Sequence, residues 1–127
     1  MLAINPQVKI YLHTDPIDMR KSFDGLFGII KSDLHLDVRG GGVFMFLNLR
    51  RNRIKLMYWD RDGIAIWMKR LESNCFQRPL RSSDGRHIII EPTELQSILA
   101  GIDLASIKMR KRYVAPNLIP HGTHAAS

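Results

Sequence analysis

The chain has a single cysteine, Cys75, among 127 residues. That excludes an internal disulfide and suits a reducing compartment. Cys75 reads as a small half-buried residue near a strand end. No apolar run reaches the roughly 18 residues of a membrane span. The opening, MLAINPQVKIYL, lacks the charged-then-apolar profile of a signal peptide. No long basic amphipathic helix is present either, so a cytoplasmic protein without a membrane partner is expected. Acids are scarce: 12 Asp and Glu face 19 Lys and Arg, giving a formal net charge of +7. This balance suits an anionic partner such as nucleic acid, although it also serves solubility alone. His13, His35, His87, His121 and His124 are scattered, without His-x-His, Cys-x-x-Cys or Gly-x-Ser-x-Gly. Gly40-Gly41-Gly42 lacks the Lys-Ser/Thr of a phosphate-binding loop and reads as a flexible turn. No metal and no cofactor is expected.

What is present is concentrated in Val43 to Glu72, VFMFLNLRRNRIKLMYWDRDGIAIWMKRLE. It reads as three strands joined by two tight turns. Val43 to Asn48 is apolar and β-prone, and Asn48 to Asn52 is a polar break of hairpin length. From Arg53 to Trp59 the residues alternate: Arg53, Lys55 and Met57 on one face, Ile54, Leu56 and Tyr58 on the other. Asp60 to Gly63 is a turn, with Gly63 at the expected positive φ, and Ile64 to Leu71 returns as the third strand. Such a meander is close to the smallest stable sheet and needs a cover.

The rest of the chain supplies that cover. Met1 to Gln7 is expected to be a flexible N-terminus, and Val8 to Leu12 a short alternating strand. Ile17, Phe23, Leu26, Phe27, Ile30 and Leu34 have helical spacing, with Asp15 or Asp18 as the N-cap. Gly25 and Gly28 weaken this helix and are expected to let it approach the sheet. Asn74 to Pro79 reads as a further strand, Arg78 to Arg86 as a polar loop, and His87 to Glu91 as a strand. Pro92 opens a second helix with the stripe Leu95, Ile98, Leu99 and Ile102, ended by Gly101. After Asp103 the only Lys, Arg, Asp or Glu residues are Lys108, Arg110, Lys111 and Arg112. The expected architecture is one small α+β domain over residues 8–103. It is a largely antiparallel β-meander covered by two helices on one face, followed by a basic flexible tail over 104–127.

Chemistry follows the charge. Arg50, Arg51 and Arg53 lie at a hairpin tip, where arginine makes bidentate contacts to phosphate or to a guanine edge and a two-stranded ribbon fits the major groove. Lys55 is expected to extend the patch, with Lys69, Arg70 and the tail residues Lys108, Arg110, Lys111 and Arg112 adding to it. The plain alternative is an edge hairpin kept soluble by its charges. Tyr58, Trp59 and Trp67 fit packing better than base stacking. Two-metal nuclease chemistry requires converging carboxylates. Asp60 and Asp62 are ordinary turn residues, and Asp18 and Asp24 point to different sides of a helix. An enzyme is therefore not expected.

Taken together the motifs resemble a known family. Asp18-Met19-Arg20-Lys21-Ser22-Phe23-Asp24-Gly25-Leu26 resembles the DMRK-x-(F/I)-DGL signature of TnpB, the second-open-reading-frame accessory protein of the IS-sixty-six family of bacterial insertion sequences. In the same order, Phe44-Met45-Phe46 with Arg50 to Arg53 resembles the family's basic hairpin. Lys55 to Asp60 with Gly63 resembles its K-x-L-x-(W/Y)-D-x-x-G segment, and Lys69-Arg70-Leu71-Glu72 its KRLE element. Leu95, Leu99, Gly101, Ile102 and Asp103 resemble its closing helix. The resemblance spans about Val8 to Asp103. Ser73 to Phe76 and Arg78-Pro79 depart from the family's Gly, Arg-Phe and Trp-Pro pattern. The resemblance implies a non-catalytic accessory factor for DNA transposition, encoded beside a separate transposase. Its partner is either DNA or, as an adaptor, the transposase itself. Asp18, Met19, Arg20, Lys21, Asp24 and Gly25 are its most recognisable motif, with no role implied for them.

Overall fold

The computed structural model describes residues 7–79 and 85–100, together with the backbone at 102–103 and 108–109. Five strands form one sheet in the order β4-β3-β2-β1-β5: β1 Ile10–His13, β2 Val43–Leu47, β3 Arg53–Asp60, β4 Gly63–Arg70 and β5 His87–Ile90. The meander β2–β4 and its alternation are as the sequence predicts. Ile54 and Leu56 face one way, Lys55 and Met57 the other. All ladders in this sheet are antiparallel except β1 with β2, which run parallel. Parallel neighbours need a long crossover, and α1 (Phe23–Leu34) provides it.

The helices do not share a face. Leu26, Ile30 and Leu34 of α1 pack with Phe44, Phe46 and Met57. Leu95, Ile98 and Leu99 of α2 (Pro92–Ala100) pack with Ile10, Leu12, Met45, Leu56 and Ile90. The expectation of helices on one face is thus corrected. β2 is buried along its whole length, VFMFL, because both of its faces are covered. Sequence alternation assigns side chains to opposite faces but not a helix to either.

Other expectations also change. α1 starts at Phe23 rather than at Ile17, and Ser22 at its N-cap makes no side-chain capping bond. Ile17 is buried in the α1-side core from the preceding loop. Leu71 to Pro79 contains no strand, although Phe76 is fully buried. Gly41 and Gly42 have φ of 103° and 95°, and a Cβ on Gly42 would lie 3.0 Å from the Tyr11 ring. Close packing thus bears on Gly42 alone, since a Cβ on Gly40 or Gly41 would meet nothing within 4 Å. In the β3–β4 turn the positive φ falls on Arg61 (59°), while Gly63 already pairs with Asp60. Ile102 belongs not to α2 but to β6 (Ile102–Asp103), which pairs with β7 (Lys108–Met109). The expected terminator Gly101 and the side chains of the basic tail lie outside the described residues.

Neither helical glycine serves a close approach to the sheet. A Cβ on Gly25 would meet only the Lys21 side chain, at 3.3 Å, and one on Gly28 would meet nothing within 4 Å. Gly28→Ala therefore gains helix propensity without a clash and is expected to stabilise the domain by about 1 kcal/mol. A melting temperature raised by a few degrees checks this, and an unchanged or lower value refutes it.

Candidate nucleic-acid interface

One end of the sheet gathers Arg50, Arg51, Arg53, Lys69 and Arg70. The C-terminal ends of β1, β2 and β4 and the starts of β3 and β5 lie there together. The β2–β3 turn, 48–52, projects from this end and is fixed by its own polar groups. Asn48 Nδ2 donates to Asn52 Oδ1 at 2.7 Å, and Asn48 Oδ1 accepts from the Arg53 amide at 3.0 Å. The Arg51 amide donates to the Asn48 carbonyl at 3.0 Å, with Arg51 at a φ of 57°. From outside, the Phe76 amide donates to the Arg51 carbonyl and the Leu71 amide to the Asn52 carbonyl. Buried Phe76 anchors that strap. An arginine-bearing turn is thus bonded both within itself and to the 71–76 segment.

The predicted residues divide by position. Arg50 and Arg53 are exposed and Arg51 is half-buried. None of the three is ion-paired with an acid among the described residues. Arg70 stands directly opposite Arg53 across the β3–β4 ladder, on the α1 face. Like charges in that position repel. Arg70 also reaches Glu72 at 3.5 Å. Lys69 stands opposite Ile54 and so projects on the α2 face. Of Lys108 only the backbone is described, and Arg110, Lys111 and Arg112 lie outside the described residues.

Lys55 does not extend the surface patch. It is only 6% exposed, and its Nζ donates to the carbonyls of Met19 at 2.9 Å and Lys21 at 2.7 Å. Those carbonyls belong to the Asp18–Gly25 motif, so the family's most recognisable stretch is tied by its backbone to the middle strand of the meander. The rest of the motif is local. Asp18 Oδ1 accepts from the Arg20 amide at 2.9 Å, and its carboxylate takes the Arg20 guanidinium through Nε and Nη2. These bonds hold the Asp18 carboxyl down at about 2. Asp37-Val38-Arg39 repeats the same clamp before β2, and there the arginine holds the carboxyl well below the usual range. Met19 packs in the α1-side core, Lys21 lies over Gly25, and Asp24 sits in the first turn of α1, where the helix dipole favours an acid. Neither Asp15 nor Asp18 caps the helix.

Two further groups at this end carry no sequence signal. Buried His13 lies between two acceptors: the Asp15 carbonyl at Nδ1 and the Asp33 carboxylate at Nε2, both 2.9 Å away. The His13 bond holds the Asp33 carboxyl below its ordinary range, and Arg86 lies 3.6 Å from the same oxygen. Arg78, which reads as part of a polar loop, joins Arg51 in lining a cleft of about 230 Å³ between the β1–α1 loop and the hairpin turn. Asp60 and Asp62 sit at the opposite end of β3, away from Asp15 and Asp18. Trp67 and Tyr58 pack against the α2-side core, whereas Trp59 is 38% exposed on the α1 face. No helix among the described residues is long and apolar enough to cross a membrane.

Comparison with known proteins agrees with the resemblance. A family model described as IS66 Orf2 like protein matches residues 8–109, six residues beyond the expected limit at Asp103. Two uncharacterized proteins of Sinorhizobium fredii are similar. The protein y4jC is 30% identical over 110 residues, covering 87% of this chain and 92% of its own. The protein y4hO is 31% identical over 103 residues, covering 81% and 88%. No solved structure matches significantly. Matched over most of its length, the chain belongs to the IS66 Orf2-like family and is an accessory protein associated with an insertion sequence.

Proposed function

We propose that this chain acts in transposition as a non-catalytic DNA-binding protein whose contact surface is the arginine end of the sheet. The observation that supports it best is the uncompensated charge there. Arg50, Arg51 and Arg53 lack acidic partners among the described residues, on a turn that is braced at both ends, and Arg53 stands opposite Arg70 across the β3–β4 ladder. A fold that keeps like charges fixed and adjacent gains most when an anion lies between them. Phosphates of a DNA backbone, spaced along a ribbon-wide groove, meet that requirement. Binding of this kind weakens steeply with salt. Changing Arg50, Arg51 and Arg53 together to Ala is expected to reduce the salt slope of log K by about 2 to 3 and to weaken binding at low salt by about a hundredfold or more. A salt-titrated assay on element-end and random DNA measures both. An unchanged slope would sink the proposal.

A second reading, an adaptor for the separate transposase, draws on a different surface. β4 is an edge strand; Met68 (56% exposed) lies on it and Trp59 (38%) on neighbouring β3, both on the α1 face. Exposed apolar residues beside an open edge suit strand addition by a protein partner. Transposase capture that persists after nuclease treatment favours this reading. Capture that disappears with the DNA favours the first.

A further inference from the structure

The geometry points to a phosphate subsite in the cleft between the β1–α1 loop and the β2–β3 turn, where Arg51 and Arg78 together hold one phosphate of a nucleic-acid strand. The inference rests on the DNA-binding reading and adds to it a specific place and stoichiometry. The cleft measures about 230 Å³. That is below the roughly 300–1,000 Å³ of pockets that enclose a whole small-molecule ligand, so a phosphate group fits better than a base with its sugar. Arg51 and Arg78 both line it, and neither is ion-paired with an acid among the described residues. One acid, Asp15, also lines the cleft. Its carboxylate is 65% exposed and has the Arg86 guanidinium 3.9 Å away. His13 cannot serve as a direct ligand, because both of its ring nitrogens are engaged, and it acts instead by holding the β1–α1 wall in place.

The backbone at Arg51 supplies an independent argument. Its φ of 57° lies in the left-handed region, which glycine occupies at no steric cost. Its amide and carbonyl are both bonded, to Asn48 and Phe76. The fold therefore keeps a long cationic side chain where a glycine is cheaper. The same left-handed backbone occurs at Arg61 in the β3–β4 turn, so what distinguishes Arg51 is that it lines the cleft. Arg50 and Arg53 stay outside the cleft and meet neighbouring phosphates. Two guanidiniums on one phosphate give paired, charge-assisted hydrogen bonds, the strongest kind available to these groups.

The test uses the full chain and two readouts. In the first, thermal unfolding is followed in inorganic phosphate and in chloride at equal ionic strength. Phosphate is expected to raise the melting temperature of the parent chain but not of Arg51→Gly, which suits the left-handed backbone, nor of Arg78→Gln. Arg50→Ala should respond like the parent. In the second, binding to a short random-sequence duplex is measured for the two single variants and the double variant. Each single change should weaken binding about tenfold. The double variant should lose little more, because both side chains serve one phosphate. A phosphate shift that survives in Arg51→Gly, or is absent from the parent, overturns the subsite. So does a double variant whose loss is the product of the singles, since that places the arginines on separate phosphates. If phosphate stabilises the chain through Arg51 while no duplex binds, the subsite stands and the DNA reading fails. If Arg50→Ala weakens duplex binding while Arg51→Gly and Arg78→Gln do not, the DNA reading stands and the subsite fails.

Discussion

Replacing Lys55 by methionine is expected to destabilise the domain by about 2–3 kcal/mol, although the apolar stem is preserved. The ammonium group donates to the Met19 and Lys21 carbonyls from a buried position. Removing it deletes two charge-assisted bonds and leaves those carbonyls facing apolar atoms. Bonds to charged groups contribute about 1.5–3 kcal/mol each, partly offset here because methionine avoids the lysine's desolvation. The loss should be local before it is global. Amides at residues 18–22 should exchange faster than those of β2, since the lysine's two bonds tie that loop to the sheet beside the Ile17 amide's bond to the Leu47 carbonyl. Denaturant unfolding and hydrogen exchange read the two effects. An unchanged unfolding midpoint, with the loop still protected, would show that the tie carries no stability.

Phe76→Ala is expected to cost about 3–5 kcal/mol, more than the loss of the Lys55 ammonium. The ring is fully buried in the α2-side core, the cluster that also holds Leu56, Leu95 and Ile98, yet it sits in a segment without regular structure. Its own amide donates to the Arg51 carbonyl. The substitution therefore empties core volume and loosens the arginine turn at once. Phe76→Leu should recover most of the stability, because it restores volume. If the alanine variant melts within a degree or two of the parent, the 71–79 segment is not an anchor.

Lys55 and Phe76 also mark what the sequence could and could not convey. The strands were readable because their alternation is local, and every predicted strand of the meander begins within one residue of its observed start. The same alternation places Lys55 beside Arg53 and Met57, and nothing in it separates a lysine in water from a lysine under a loop. The difference lies in carbonyls 34 and 36 positions away. Phe76 is visible as apolar, but its neighbours read as a strand where the chain only crosses the end of the sheet. The arginine turn was legible because composition and hairpin spacing coincide there. Arg78 was not, because only tertiary folding brings it beside Arg51. Helix placement failed for a related reason: a helical stripe reports that a face is covered, not which face.

The position of β1 has a consequence for the order in which the domain is completed during synthesis. Although first in the chain, β1 lies inside the sheet, between β2 and β5. On a ribosome, the β1–α1–β2–β3–β4 unit can assemble as soon as residue 70 has emerged. β1 then keeps one open edge, and the Ile10, Leu12, Met45 and Leu56 face stays uncovered until β5 and α2 follow. Between the emergence of β4 and that of β5 and α2 the nascent chain exposes both an unpaired strand edge and half of its future core, the combination most prone to mispairing. Chains that end prematurely before residue 87 are therefore expected to be aggregation-prone rather than small stable domains.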